Sequence, residues 1–188
     1  MKPALLFLTF VVATLTACAP SAPSALATLD GTAVSAPLYD VLLSSARHRA
    51  QAVGETVDPA KPGGARRLAR LQAAALRETI QDAAIERLAR GHGVTVTPQD
   101  VASTIHNLEQ ALAGEGTIDG QLAEAGLSRS DFATLTRYRL LQSRLRARDP
   151  KLDMELREVL AGPAVQVYAS PCGTDHRYPA CLDAVTNS

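Results

Sequence analysis

The sequence has no tryptophan, and its aromatic content is only 4%. A β-sandwich core is built from bulky residues alternating along strands, so this scarcity argues against one. It also removes the stacking platforms on which single-stranded nucleic acids are held. An excess of charge of either sign is missing as well, because 19 Lys and Arg residues balance 19 Asp and Glu. No global field draws the chain to nucleic acid or to an acidic polymer. Catalytic signatures are equally absent. There is no Gly-x-Ser-x-Gly elbow, no P-loop, no dinucleotide glycine run and no His-Glu-x-x-His pair. The histidines, His48, His92, His106 and His176, stand apart in sequence. His92 falls in a helix-ending turn. His106 falls off the apolar face of its helix, where water solvates it. Asp82 and Glu86 lie one helical turn apart with nothing beside them to support acid–base chemistry. The chain is therefore expected to be no enzyme and to hold no cofactor or metal. Alanine, leucine and arginine dominate instead, which points to packed helices.

Long apolar runs are missing except at the start. Ala4 to Leu15 is uncharged and follows Met1-Lys2. It has the length of a signal-peptide core and is too short for a bilayer span, which needs about 20 apolar residues. Leu15-Thr16-Ala17-Cys18 closes it and resembles a bacterial lipobox, which a lipoprotein signal peptidase cuts before the cysteine. On this reading residues 1–17 are the signal peptide. Cys18 then carries acyl chains, palmitate among them, on its thiol and amine. Each buried methylene contributes roughly 0.8 kcal/mol, so several chains anchor stably where one would not. The alternative is an ordinary secretory signal cut near Ala17 or Ala19. The lipobox reading places the protein in the cell envelope, lipid-anchored on the extracytoplasmic face of a membrane. Ala19 stands where an inner-membrane retention aspartate would be, so the outer membrane is expected if the host has one.

Cysteine is scarce too, and the count of three is odd. With Cys18 assigned to lipid, Cys172 and Cys181 remain as a pair, and outside the cytoplasm such a pair is expected to form a disulfide. A metal site joining both to His176 is the rival reading, although the spacing is not that of a zinc knuckle. Removing residues 1–17 takes one charge, Lys2, and leaves 171 residues with 18 basic and 19 acidic side chains. That length suits one domain with a real core.

Residues 18–24 read as a short lipidated tether containing proline. Leu26 to Leu29 and Thr32 to Val34 read as short strands around Asp30-Gly31, a strong hairpin signal. Ser35 caps a helix expected over Ala36 to Ala52, with Pro37 in its first turn and Leu38, Val41, Leu42 and Ala46 facing inward. Gly54 to Gly64 reads as a loop. The longest helix is expected over Ala65 to Arg90. Leu76, Ile80, Ala84 and Leu88 repeat every four residues, while Leu68, Leu71 and Ile85 lie off that stripe. Apolar positions on more than one side imply a central helix. Gly91-His92-Gly93 ends it.

Thr97-Pro98 starts the next helix, in which Val101, Ile105, Leu108 and Leu112 make the cleanest amphipathic pattern of the chain. A short helix, Ile118 to Ala125, ends at Gly126. Ser128 caps another, Arg129 to Arg148, with Leu135, Tyr138, Leu141, Gln142 and Leu145 on one side. Lys151 to Leu160 can form one more, Val165 to Tyr168 is β-prone, and the rest reads as a disulfide-closed loop and a frayed end. Residues 25–160 are thus expected to be the helical domain and 161–188 its C-terminal tail.

The order of these elements resembles a known family. A strand, an Asp-Gly turn, a strand and a capped helix open the fold. A long helix then ends in Gly91-His92-Gly93-Val94-Thr95-Val96-Thr97-Pro98-Gln99-Asp100-Val101, and Gln121-Leu122-Ala123-Glu124-Ala125-Gly126-Leu127-Ser128 precedes the last long helix. Together they are similar to the SurA N-terminal chaperone domain, found also in PrsA-like foldases and related to the trigger-factor peptide-binding fold. The resemblance covers about Ala25 to Arg148. It implies a mainly α, multi-helix domain with a small N-terminal β-hairpin that binds unfolded or exported polypeptides. Relatives often continue into a parvulin-type prolyl isomerase domain. Only 38 residues follow Pro150 here, too few for such a domain, so isomerase activity is not expected. No individual peptide-binding residue is singled out, because binding an unfolded segment needs apolar area rather than a residue pattern. The second reading is a non-catalytic envelope lipoprotein that holds one dedicated protein partner. Arg137, Arg139, Arg144, Arg146 and Arg148 crowd the last long helix. They read as a solubilising set pointing in several directions, with contact to anionic lipid or an acidic client as the rival use.

Replacing Cys18 with alanine is expected to release the protein from membranes, read by fractionation, while leaving its thermal midpoint unchanged. A C18A protein that stays membrane-bound after signal cleavage would show that the anchor is elsewhere.

Overall fold

The computed structural model describes residues 25–112, 116–169, 172 and 177–186. The signal segment, Cys18, the tether and His176 lie outside the described residues. Strands β1 (Ala27–Leu29) and β2 (Thr32–Ala33) come first, then helices α1 (Ala36–Ala52), α2 (Gly64–Gly91), α3 (Pro98–Ala111), α4 (Ile118–Glu124), α5 (Arg129–Arg148) and α6 (Leu152–Ala161). Strand β3 (Val165–Val167) and helix α7 (Ala180–Thr186) complete the described fold. It is mainly α with a small sheet near the N-terminus, as expected.

The caps lie where the local chemistry puts them. Ser35 Oγ accepts from Leu38 N–H at 3.3 Å, and Pro37 occupies the first turn of α1, where its missing N–H leaves no bond unmade. Thr97 with Asp100, and Ser128 with Asp131, form reciprocal capping boxes at the starts of α3 and α5. Asp30 and Gly31 both take positive φ, 51° and 75°, which matches the twist of a two-residue hairpin. Arg87 Nε reaches Asp30 Oδ2 at 2.9 Å and ties that turn to α2.

Two parts of the tail depart from expectation. The sheet is three-stranded, ordered β2-β1-β3, rather than a hairpin alone. β3 pairs antiparallel with β1, setting Leu29 opposite Val165 and Ala27 opposite Val167. A residue-by-residue alternation drives it: Val165 and Val167 are buried while Gln166 between them is exposed. The stretch 180–186 is also not frayed. It forms α7, and Leu182 within it is 0% exposed. Its first turn carries Cys181, which is joined to Cys172 by a disulfide with a Cα–Cα distance of 4.9 Å.

Helix α2 runs through the middle of these elements, and at 28 residues it is about 42 Å long. Ala73, Leu76, Ile80 and Ala84 enter one cluster with Val165, Val167 and Leu182 from β3 and α7. Ile85 and Ala89 enter a second with Leu141 of α5. Of the residues off the main stripe, Ile85 supplies a second buried face with Ala89 while Leu68 and Leu71 are half-buried, and the central position read from the pattern holds. Residues past 160 share the first cluster, so β3 and α7 pack as part of the same core as α2 and β1.

Truncating Leu182 to alanine is expected to lower unfolding free energy by roughly 2–5 kcal/mol in urea titrations, as for other fully buried leucines. A loss within experimental error would mean that α7 does not hold the core.

Candidate functional site

A cleft of about 300 Å³ opens between α1, α2, α5 and the link from α4 to α5. Leu42 and Ala46 of α1, Leu127 of the link and Leu135 of α5 line it, each half-buried. Arg49, Glu78 and Arg139 stand around them. Leu42, Ala46 and Leu135 were expected to face inward. They do so only in part, whereas Leu38, Leu141 and Leu145 on the same helices are 0–3% exposed. What separates them is coverage by neighbouring elements, which the helical period alone does not report.

The wall of the cleft is pinned by close contacts. Ser45 Oγ donates to the Ala125 carbonyl at 2.8 Å, bridging α1 and the α4–α5 link. One residue on, Gly126 has φ +66° and lies against His48, and a Cβ there would fall 2.6 Å from His48 Cβ and Cγ. Any side chain at 126 would both strain the turn and push α1 away. His48 therefore has a packing role. The Ala125-Gly126-Leu127-Ser128 step that carried the resemblance is the piece that joins α1 to the α4–α5 link.

A further apolar surface belongs to α3. Its stripe begins buried at Val101, is half-buried at Ile105 and reaches 42% exposure at Leu108. Near its end Glu109 meets Arg129 of α5 at 2.7 Å, and its start is closely held to the same helix. There Arg144 donates to both carboxylate oxygens of Asp100, at 2.6 and 3.0 Å, and to the Thr95 carbonyl at 2.8 Å.

The arginines of α5 do point in several directions, and Arg137, Arg139, Arg144 and Arg146 are paired. Arg137 meets Glu86 at 2.6 Å and Arg139 meets Glu78 at 3.0 Å, both on α2, while Arg146 meets Asp153 of α6 at 3.3 Å. They tie helices together. Most are exposed, so each pair contributes little alone.

Between the two α2 pairs lies Asp82, which is 8% exposed. Burial raises its pKa from the ordinary 3.8 to about 7, Glu78 and Glu86 push the same way, and Arg139 opposes them. Asp100 is the opposite case. The Arg144 guanidinium, then the Thr97 N–H and hydroxyl, hold it well below the usual carboxylate range. Asp131 is lowered in the same direction by the Ser128 hydroxyl and N–H.

The other expected site residues resolve plainly. Cys172 and Cys181 form the disulfide, and a site joining them to His176 lies outside the described residues. His106 is exposed beside Gln110 at 3.0 Å. His92 caps the end of α2, as expected, and meets Glu155 and Asp149 at 3.0 and 3.7 Å, a meeting that sequence spacing did not reveal. Among the described residues no helix is long and apolar enough to cross a membrane.

A helical domain with a short sheet packed on its longest helix, and with partly covered aliphatic side chains between helices, is thus the class of protein defined here. The family model described as SurA-like N-terminal domain matches residues 3–146, well over half of the chain. The chain belongs to that family, whose role is chaperone-like. No curated protein and no solved structure gives a significant match.

Asp82 also sets a pH window. Between 3.8 and about 7 the folded chain keeps a proton that the unfolded chain has released, so this group lowers stability as pH rises across that interval. Asp100 and Asp131 act oppositely. Their contribution is present above the unfolded carboxylate pKa and is lost as pH falls through their lower folded values. Asp82→Asn is expected to be more stable than wild type at pH 8 by about 1–3 kcal/mol, with less than about half of that gain left at pH 5. Urea midpoints at the two pH values measure this, and a gain independent of pH would contradict the assignment.

Proposed function

We propose that this chain is a membrane-anchored, extracytoplasmic chaperone-like lipoprotein. It holds unfolded or exported polypeptides and carries no prolyl isomerase activity. The observation that carries the reading is the cleft of half-buried aliphatic residues, Leu42, Ala46, Leu127 and Leu135, in a domain of the SurA-like N-terminal family. An extended segment of a client can place an aliphatic side chain against these residues, burying apolar area without demanding a particular sequence. Arg49, Glu78 and Arg139 around the cleft leave charged groups for the polar atoms of the same segment. The exposed part of the α3 stripe at Leu108 extends the apolar area available. Binding the unfolded form lowers its free concentration and so slows aggregation by mass action. The Leu15–Cys18 lipobox supports placing this activity at the membrane surface where exported chains emerge.

The purified full chain is expected to suppress aggregation of a chemically denatured client at near-stoichiometric ratios, read by light scattering. Leu127→Gln and Leu135→Gln each remove roughly 1 kcal/mol of apolar contact, weakening client binding about fivefold while the fold is retained by circular dichroism. Absence of suppression across several unrelated clients would overturn the proposal. Crosslinking in cells distinguishes it from service to one dedicated partner: many exported clients support it, and a single constant partner supports the alternative.

A further inference from the structure

His92, Asp149 and Glu155 come from three separate elements. His92 is the C-cap of α2, Asp149 is the C-cap of α5, and Glu155 lies in α6. Their ligand-type atoms all lie within 4.8 Å of one another. His92 Nε2 is 3.0 Å from Glu155 Oε2 and 3.7 Å from Asp149 Oδ2. Two tetrahedral ligands of one zinc ion, each about 2.0–2.1 Å from it, sit about 3.3 Å apart, and the two observed separations bracket that value.

We propose that these three side chains form a binding site for a first-row divalent cation, with Zn²⁺ the best fit, leaving a fourth position open to solvent. The donor set of one imidazole and two carboxylates suits zinc, and its two negative charges balance the ion. Among the described residues no lysine or arginine forms an ion pair with either carboxylate, so no fixed cation already fills the role. Asp149 is orientated for it. Its Oδ1 accepts the Lys151 N–H at 2.8 Å, which leaves Oδ2 turned toward His92. This is the kind of outer contact that steers a metal-bound carboxylate. The C-termini of α2 and α5 meet here, each with roughly half a negative charge, and together they outweigh the single positive end of α6 that Glu155 in its first turn brings. The side chains are 14–32% exposed, enough for an ion to enter and few enough contacts with water to favour holding it. A bound ion would join the ends of α2, α5 and α6, far in sequence from the cleft-lining residues of α1.

The full chain, extracted in detergent and stripped with EDTA, is titrated with ZnCl₂ against a chromogenic zinc indicator, and its thermal midpoint is followed. One equivalent is expected to bind with micromolar or tighter affinity and to raise the midpoint. Glu155→Gln and His92→Ala should each weaken binding at least tenfold, and His106→Ala should not. No binding by wild type, or equal affinity in wild type and both site variants, overturns the proposal. Should a variant fail to fold, Co²⁺ added to the wild-type protein decides. A visible d–d band without a near-ultraviolet thiolate band supports the site. No band, or a thiolate band that places the metal on cysteine, overturns it.

Discussion

Helix α2 buries side chains in two directions at once, and the other elements are arranged around that. Ala73, Leu76, Ile80 and Ala84 pack with the sheet and α7, and Ile85 and Ala89 pack with α5. Alanines stand beside larger residues on these faces, which lets neighbouring backbones come close. A helix of 28 residues that is apolar on only one side would lose the buried contact that Ile85 and Ala89 make with Leu141 of α5. Because α2 has two such sides, one rigid element supports both the terminal strands and the later helices.

The seam between α2 and α5 is mixed in character. Ile85 and Ala89 cluster with Leu141. Further along, Glu78, Asp82 and Glu86 follow at intervals of four residues and face Arg137 and Arg139. The outer two carboxylates find arginines. The middle one is buried and is held closer to its neutral form. These ion pairs tie α5 to α2, and the leucines of α1 and α5 that line the neighbouring cleft stay half-buried. The Glu78–Arg139 pair belongs both to this seam and to the lining of the aliphatic cleft.

Local signals were read well from the chain itself. Asp30-Gly31 specified a hairpin because few residues take positive φ twice in succession. Ser35, Thr97 and Ser128 marked helix starts because each can satisfy an orphan N–H of the first turn. The motif order that resembled the SurA N-terminal domain was built from such turns and caps, which is why it survived in the family match. Less was legible where partners are distant in sequence. β3 was visible as a β-prone stretch, but its pairing with β1 joins residues more than a hundred positions apart. Helix α7 was missed because seven residues give too short a period to detect, and its order comes from the core and the disulfide. The cleft escaped notice because Leu38 and Leu42 follow the same helical period and differ only in what covers them.

The sequence by itself determined the class of the fold, most helix boundaries, the absence of any familiar catalytic motif and the pairing available to Cys172 and Cys181. These depend on short-range backbone chemistry and on composition, which are written in neighbouring residues. The tertiary structure alone decided which apolar residues stay half-open, which carboxylate each arginine of α5 meets, and that His92, Asp149 and Glu155 share one corner. Those facts follow from the crossing of helices in space, where burial and charge pairing are set by residues that no local pattern connects.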